Sequence, residues 1–259
     1  AYPITLEKIY VVETDVNKRH SGEVLIDGLT AIFPKKYDNT NIPEASSSKD
    51  IKNVKTEKVK NGFSFIITKA PNNLDEIANF DAKTLLKNRI NSHNVALFMG
   101  DTDTEFIKGL NPVLKMNTGI NYVRKSHNNV MFIDANNSKG GIRPTNPQQW
   151  QWIKGGLENS KEDHIVILLP KPVFGNGGFK DPLEAELLHK LLVNEVEKGK
   201  TVWVIHGGSK NQVEVNEGIR YIEYDNRNVN NPEEVKNIQA IEFVVNGQDI
   251  SYQINSVYK

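Results

Sequence analysis

Cysteine is absent from all 259 residues. That excludes disulfides, thiolate metal sites and cysteine nucleophiles, and it suits an exported bacterial protein. Net charge is absent too: 32 Lys+Arg balance 32 Asp+Glu, so the basic excess of a general nucleic-acid or polyanion binder is missing. No apolar run approaches the roughly 20 residues that span a bilayer, and no membrane span is expected. The opening AYPITLEKIYVVE lacks the charged leader and apolar core of a signal peptide. The expectation is a chain whose signal has been removed, or one excised from something longer. What remains, 38% hydrophobic and 25% charged, fits a globular protein on the polar side.

Residues 4–12 and 23–33 are rich in β-branched and apolar side chains and read as two strands joined by a turn at Asn17 to Gly22. Two strands cannot bury a core alone. The run Ser21 to Phe33, SGEVLIDGLTAIF, resembles the closing strands of carbohydrate-binding jelly-roll modules. Residues 37–61 are polar, carry Pro43 and a run of three serines, and read as a linker. The Lys-rich part of it mixes charges and reads as solvated.

From Gly62 the pattern becomes α/β. Strands are expected at 63–68, 95–101, 112–116, 130–133, 164–170, 201–208, 220–224, 241–245 and 250–254, the last two joined by the turn Asn246-Gly247. Helices are expected over 74–91, with Ile77, Phe80, Leu85 and Ile90 on the buried face, over 147–157 and over 182–198. The most informative stretch is Asn129 to Trp152, NVMFIDANNSKGGIRPTNPQQWQW. A buried strand ends in Asp134, an Asn- and Gly-rich loop follows, and Asn146 caps a helix with Pro147 at its first position. The carboxyl end of such a strand is the usual place for a site in an α/β protein.

Strands ending in VALFMGD, VMFID, VILLPKPVF and VWVIHGG, in that order, together with Asp134, Gly140-Gly141, Arg143 and Gln149-Trp150-Gln151-Trp152-Ile153, resemble the calcineurin-like metallophosphoesterases, especially their exported bacterial members. The resemblance covers about Gly62 to Tyr224. It implies two β-sheets packed face to face with flanking helices, an α-β-β-α arrangement preceded here by the N-terminal hairpin. It also implies a site at the strands' carboxyl ends, where two divalent metals generate hydroxide and cleave phosphate esters. Carried over motif by motif, the ligands are mostly gone. The Asp-x-His place holds Thr68 and Ala70, or Lys69 and Pro71 in the neighbouring register, and the Gly-Asp place keeps Gly100-Asp101. The Gly-Asn-His place holds Met116-Asn117-Thr118, the lone His place Pro170, and the Gly-His-x-His place Gly207 to Lys210. Asp101 and Asn117 alone survive, and Lys69 and Lys210 put positive charge where cations belong.

Other groups invite chemistry on their own. Asp101, Asp103 and Glu105 form a candidate oxygen site for Ca²⁺ or Mg²⁺, against a plain solvated loop or helix cap. His206 is a candidate substitute ligand or a hydrogen-bonded structural residue. His127 and Asp134 flank one strand as a candidate base and orienter, with no nucleophile beside them. Arg143 with Gly140 and Gly141 suits a phosphate or a glycan carboxylate, or simply locks its loop to the sheet. Trp150, Trp152 and Trp203 can stack on a sugar or fill the core.

The expectation is therefore a degenerate phosphoesterase domain over 62–259, preceded by sandwich-closing strands over 1–36, as part of a longer exported protein. Its role would be structural or glycan-binding at the cell surface, with no cofactor. One alternative is a working phosphodiesterase with a rearranged site at Asp101, Asn117, Asp134 and His206, using Mn, Fe, Zn or Ca. The other is a self-assembling surface-layer or appendage subunit.

Overall fold

The computed structural model describes residues 62–258 except 73, 101, 120 and 121, together with two short strands nearer the N-terminus. The chain divides into two units, residues 1–44 and 45–259. In the first, β1 (Leu25–Ile26) pairs antiparallel with β2 (Leu29–Thr30). The rest of the expected closing strands and the linker to residue 61 lie outside the described residues.

The second unit opens with β3 (Phe63–Thr68), then α1 (Leu74–Ile77) and α2 (Phe80–Asn91). One helix was expected over 74–91. Two form because Asn79 takes up a capping conformation and its side chain accepts from the Ala82 amide at 2.8 Å, which Asn does better than it continues a helix. The buried face shifts with the break: Leu86 and Ile90 are fully buried, whereas Leu85 is 50% exposed.

After α2 come β4 (Val95–Phe98), α3 (Thr104–Lys108), β5 (Leu114–Asn117), β6 (Val123–His127) and β7 (Val130–Asp134). Then follow α4 (Ile142–Thr145), α5 (Gln148–Glu158), β8 (His164–Leu169), α6 (Pro182–Glu197) and β9 (Thr201–Gly208). The chain closes with β10 (Gln212–Asn216), β11 (Ile219–Asp225), α7 (Pro232–Val235), β12 (Gln239–Asn246) and β13 (Asp249–Ser256). Pro147 stands one place before α5 rather than inside it, and the Asn146 side chain still receives the Gln148 amide at 3.0 Å.

Two sheets result. One runs β10-β11-β9-β8-β7-β6 and the other β13-β12-β3-β4-β5. Their central strands are parallel (β11, β9, β8, β7 in one; β3, β4, β5 in the other), with antiparallel partners outside them. Parallel strands covered on both faces read as unbroken apolar runs, as in β8, where every residue is buried. The sheets share one core. Phe65, Leu97 and Phe243 from one meet Phe132, Val166 and Trp203 from the other. Phe65 stacks on Phe243 with ring centroids 4.4 Å apart, and Trp203 meets Phe243 edge-on at 5.2 Å.

The outer faces are covered by helices. α5 and α6 bring Ile153, Leu157, Leu188 and Leu192 against Ile133, Ile167 and Val204. On the other side Leu86 and Ile90 of α2 pack on Ile66, Phe98 and Ala240. β6 and β10 were not expected from sequence: they are sheet edges, the three central residues of β6 are exposed and β10 alternates between exposed and partly buried, so neither offers an apolar run. No helix among the described residues is long and apolar enough to cross a membrane.

One charge sits under α2. Glu242 of β12 is 4% exposed and takes both Arg89 Nε and Nη2, His93 Nε2 at 3.1 Å, and the amides of Gln253 and Asn255 at 3.0 Å each. Burial alone would raise its pKa; the hydrogen bonds from His93 and Arg89, with the Arg89 charge, outweigh it and hold the carboxyl at about 2. The folded pKa lies below the ordinary 4.5, so this stabilisation is complete above pH 4.5 and fades as pH falls towards about 2. Glu242→Gln should cost about 2 kcal/mol at neutral pH. In urea titrations at decreasing pH, the gap to the parent protein should close across that acid window.

Candidate functional site at the carboxyl edge of the sheets

The carboxyl ends of the parallel strands of both sheets meet at one edge. Lys69, just past β3, donates to the backbone carbonyls of Asp225 at 3.2 Å and Arg227 at 2.9 Å, at the end of β11. This side chain is the bridge. Lys69 is 8% exposed and has no ion-pair partner within contact among the described residues; burial lowers its pKa, an effect that Asp225 and Glu234 oppose and Arg227 reinforces. Asp225 is occupied by Arg227, whose Nε and Nη2 reach its two oxygens at 2.9 and 2.7 Å. Asn226 lies against Gly207, where any Cβ would collide with its carboxamide and with the Pro170 carbonyl. The Gly-Gly that ends β9 is thus a close-packing requirement here.

A cavity of about 210 Å³ opens beside Lys69, lined by Met99, Pro71, Val229, Arg227 and the asparagines Asn72, Asn226, Asn228 and Asn230. It is small for a ligand pocket, and no carboxylate lines it.

The residues singled out from sequence do not converge there. Asp101 lies outside the described residues. Asn117 shares its face of β5 with Lys115, opposite the inter-sheet side taken by Met116, and its Oδ1 accepts the Thr102 hydroxyl at 2.8 Å. His206 shares a face of β9 with Val202 and Val204, which pack under the outer helices. Its Nδ1 lies 3.2 Å from the Gly207 carbonyl, and burial lowers its pKa. Asp134 alone turns inward, in step with Val130 and Phe132. His127 is not its partner. The register pairs Val123 with Asp134 and His127 with Val130, four residues and about 13 Å along the hairpin. Asp103 caps α3, accepting the amides of Glu105 and Phe106 at 2.9 Å each, and Glu105 is paired with Lys108. Lys210 is exposed. No cluster of three His, Asp or Glu suited to a metal occurs among the described residues.

The loop after β7 is internally satisfied. Gln149, fully buried, clamps the Asn136 peptide, accepting its amide at 2.7 Å and donating to its carbonyl at 2.9 Å. Asn137 clamps the Lys171 peptide the same way, at 3.0 and 2.7 Å. The anion expected at Gly140, Gly141 and Arg143 is supplied internally by Glu184 of α6, 2% exposed, whose Oε1 takes the Arg143 amide at 2.6 Å and the Trp150 indole at 2.7 Å. Gly141 is required there: φ is 148° and a Cβ would strike the Glu184 carboxylate. The Arg143 guanidinium, 57% exposed, stands 3.9 Å from Asp181. Trp203 is fully buried, and Trp152 lies against Tyr122 and Arg124. No tryptophan forms part of the cavity lining.

Compared with protein-family models and with curated proteins, the sequence matches none.

The Asn-rich run Asp225 to Asn231, DNRNVNN, was the one cavity-lining element that sequence reading passed over. Its only signal was amide density in a connection before Pro232.

Asp134 is fully buried with neither oxygen in hydrogen-bonding geometry, and burial pushes its pKa up to about 8, the Gly119 amide opposing the shift weakly. The folded state therefore keeps a proton that the unfolded chain releases above pH 3.8. Its contribution falls as pH rises from there to about 8. Asp134→Asn, which copies the neutral form, should raise unfolding free energy by up to ~5 kcal/mol at pH 8 and by almost nothing near pH 3.8. Thermal melts of both proteins at the two pH values check this.

Proposed function

We propose that residues 62–259 are a degenerate, catalytically inactive calcineurin-like phosphoesterase domain of an exported bacterial protein, with a structural or binding role at the cell surface. The observation that carries this reading is Lys69. Its ammonium bridges the two sheets through the Asp225 and Arg227 carbonyls, at the edge where the family's metals would be held. A fixed cation there performs the metals' structural task of joining strand ends, and it repels a divalent ion. The other candidate ligands support the same reading. Asn117 and His206 face away from the inter-sheet side, and Asp134, the one candidate among the described residues that faces in, is held protonated by burial.

Other domains of a longer chain, and a cell-wall or other extracellular glycan, are the partners this reading supplies. The resemblance to jelly-roll closing strands over 21–33 points the same way.

The untagged protein, incubated with Mn, Fe, Zn and Ca in turn and then desalted, should retain no stoichiometric metal by mass spectrometry. It should not hydrolyse bis-p-nitrophenyl phosphate above background with any of them. A tightly bound metal pair, or metal-stimulated turnover, overturns the reading.

A further inference from the structure

The cavity beside Lys69 has a definite chemistry. Its buried ammonium donates to two carbonyls, and an ammonium has three protons to give. A buried charge held by dipoles alone is costly unless an opposite charge completes it. No carboxylate among the described residues touches it: Asp225 is held by Arg227, and Asp225 and Glu234 favour the ammonium only from a distance. The ammonium beside the cavity therefore has no carboxylate in direct contact.

Besides Arg227, which holds Asp225, the remaining polar lining is carboxamide: Asn72, Asn226, Asn228 and Asn230. A primary amide offers a donor and an acceptor side by side, which matches a hydroxyl group that both gives and takes a hydrogen bond. Met99 and Val229 add apolar wall.

We propose that this cavity is a receptor for a small acidic sugar, a uronic acid in free form or at the end of a glycan. Its carboxylate meets Lys69 and its ring hydroxyls meet the asparagines. A carboxylate gives Lys69 the direct ion pair that it lacks; the Asp225 and Glu234 charges nearby disfavour a phosphate dianion more than a monoanion. The cavity, about 210 Å³, admits one sugar ring and not an extended chain lying flat. This inference rests on the binding role proposed above and adds the ligand class to it.

The test is titration calorimetry on the whole chain with glucuronate, its methyl glycoside, glucose and inorganic phosphate as separate probes. Glucuronate or its methyl glycoside should bind with a dissociation constant of about 1 mM, as befits so small a ligand. The tighter of the two tells a free acid from a glycan end. Glucose and phosphate should bind at least tenfold more weakly. Lys69→Met should abolish uronate binding. Because Lys69 is buried, a second variant guards against misfolding: Asn228→Asp, at an exposed position, places a like charge beside the carboxylate and should weaken binding at least tenfold. Absence of binding by both uronates overturns the proposal, as does glucose or phosphate binding as tightly. Wild-type affinity in Asn228→Asp, or in folded Lys69→Met, overturns it as well. Failure here leaves the metal and turnover results standing, and metal-dependent turnover leaves the uronate result standing, so the two readings fail separately.

Discussion

Burial of both faces of both sheets is the constraint on which everything else in the second unit depends. The inter-sheet core holds Phe65, Phe132, Trp203 and Phe243 in mutual contact, and each sheet's outer face is closed by helices. With strands covered on two sides, polar groups are confined to the strand ends, the edge strands and a few hydrogen-bonded exceptions such as Glu242. The carboxyl edge is therefore where charge, amide groups and irregular backbone accumulate. Position, more than any single residue, makes it the candidate site.

At that edge two sheets end side by side, and their last carbonyls and amides need partners. Much of the need is met from within the fold. Lys69 ties β3 to the end of β11, Gln149 and Asn137 each hold a neighbouring peptide by both its groups, and Glu184 supplies an anion to the Gly-Gly loop. In each case a side chain sits where a ligand or metal might otherwise be sought. Internal satisfaction of this kind rigidifies a frame without leaving room for chemistry. The exceptions are Asp134, whose oxygens lack hydrogen-bond partners, and the ammonium of Lys69, which has no carboxylate in direct contact.

The two exceptions differ physically. Asp134 resolves its burial by holding a proton. Lys69 lies beside a cavity and can resolve its burial by taking an anion from outside. Under the degenerate reading proposed above, the edge that gathers the strand ends keeps a binding role.

Sequence alone determined the central strands and the long helices, while the facing of two sheets was only what the family resemblance implied. Unbroken apolar runs such as Val130 to Ile133 and Ile165 to Leu169 could only be strands covered on both faces, and β9 runs over the residues expected, Thr201 to Gly208. The helix expected over 182–198 forms over Pro182–Glu197, with Asp181 as its cap. Local signals of period and capping suffice for these. Tertiary structure decided which face each polar residue takes and what it meets. The parity that sends His206 and Asn117 away from the core, and the hairpin register that separates His127 from Asp134, depend on pairing between distant segments. So do the edge strands β6 and β10, whose exposed and partly buried residues carry no apolar run. Lys69 could be seen in the sequence as a cation in the wrong place for a metal. That it is buried against two carbonyls from residues 225 and 227, beside an asparagine-lined cavity, follows only once β3 and β11 are brought to the same edge.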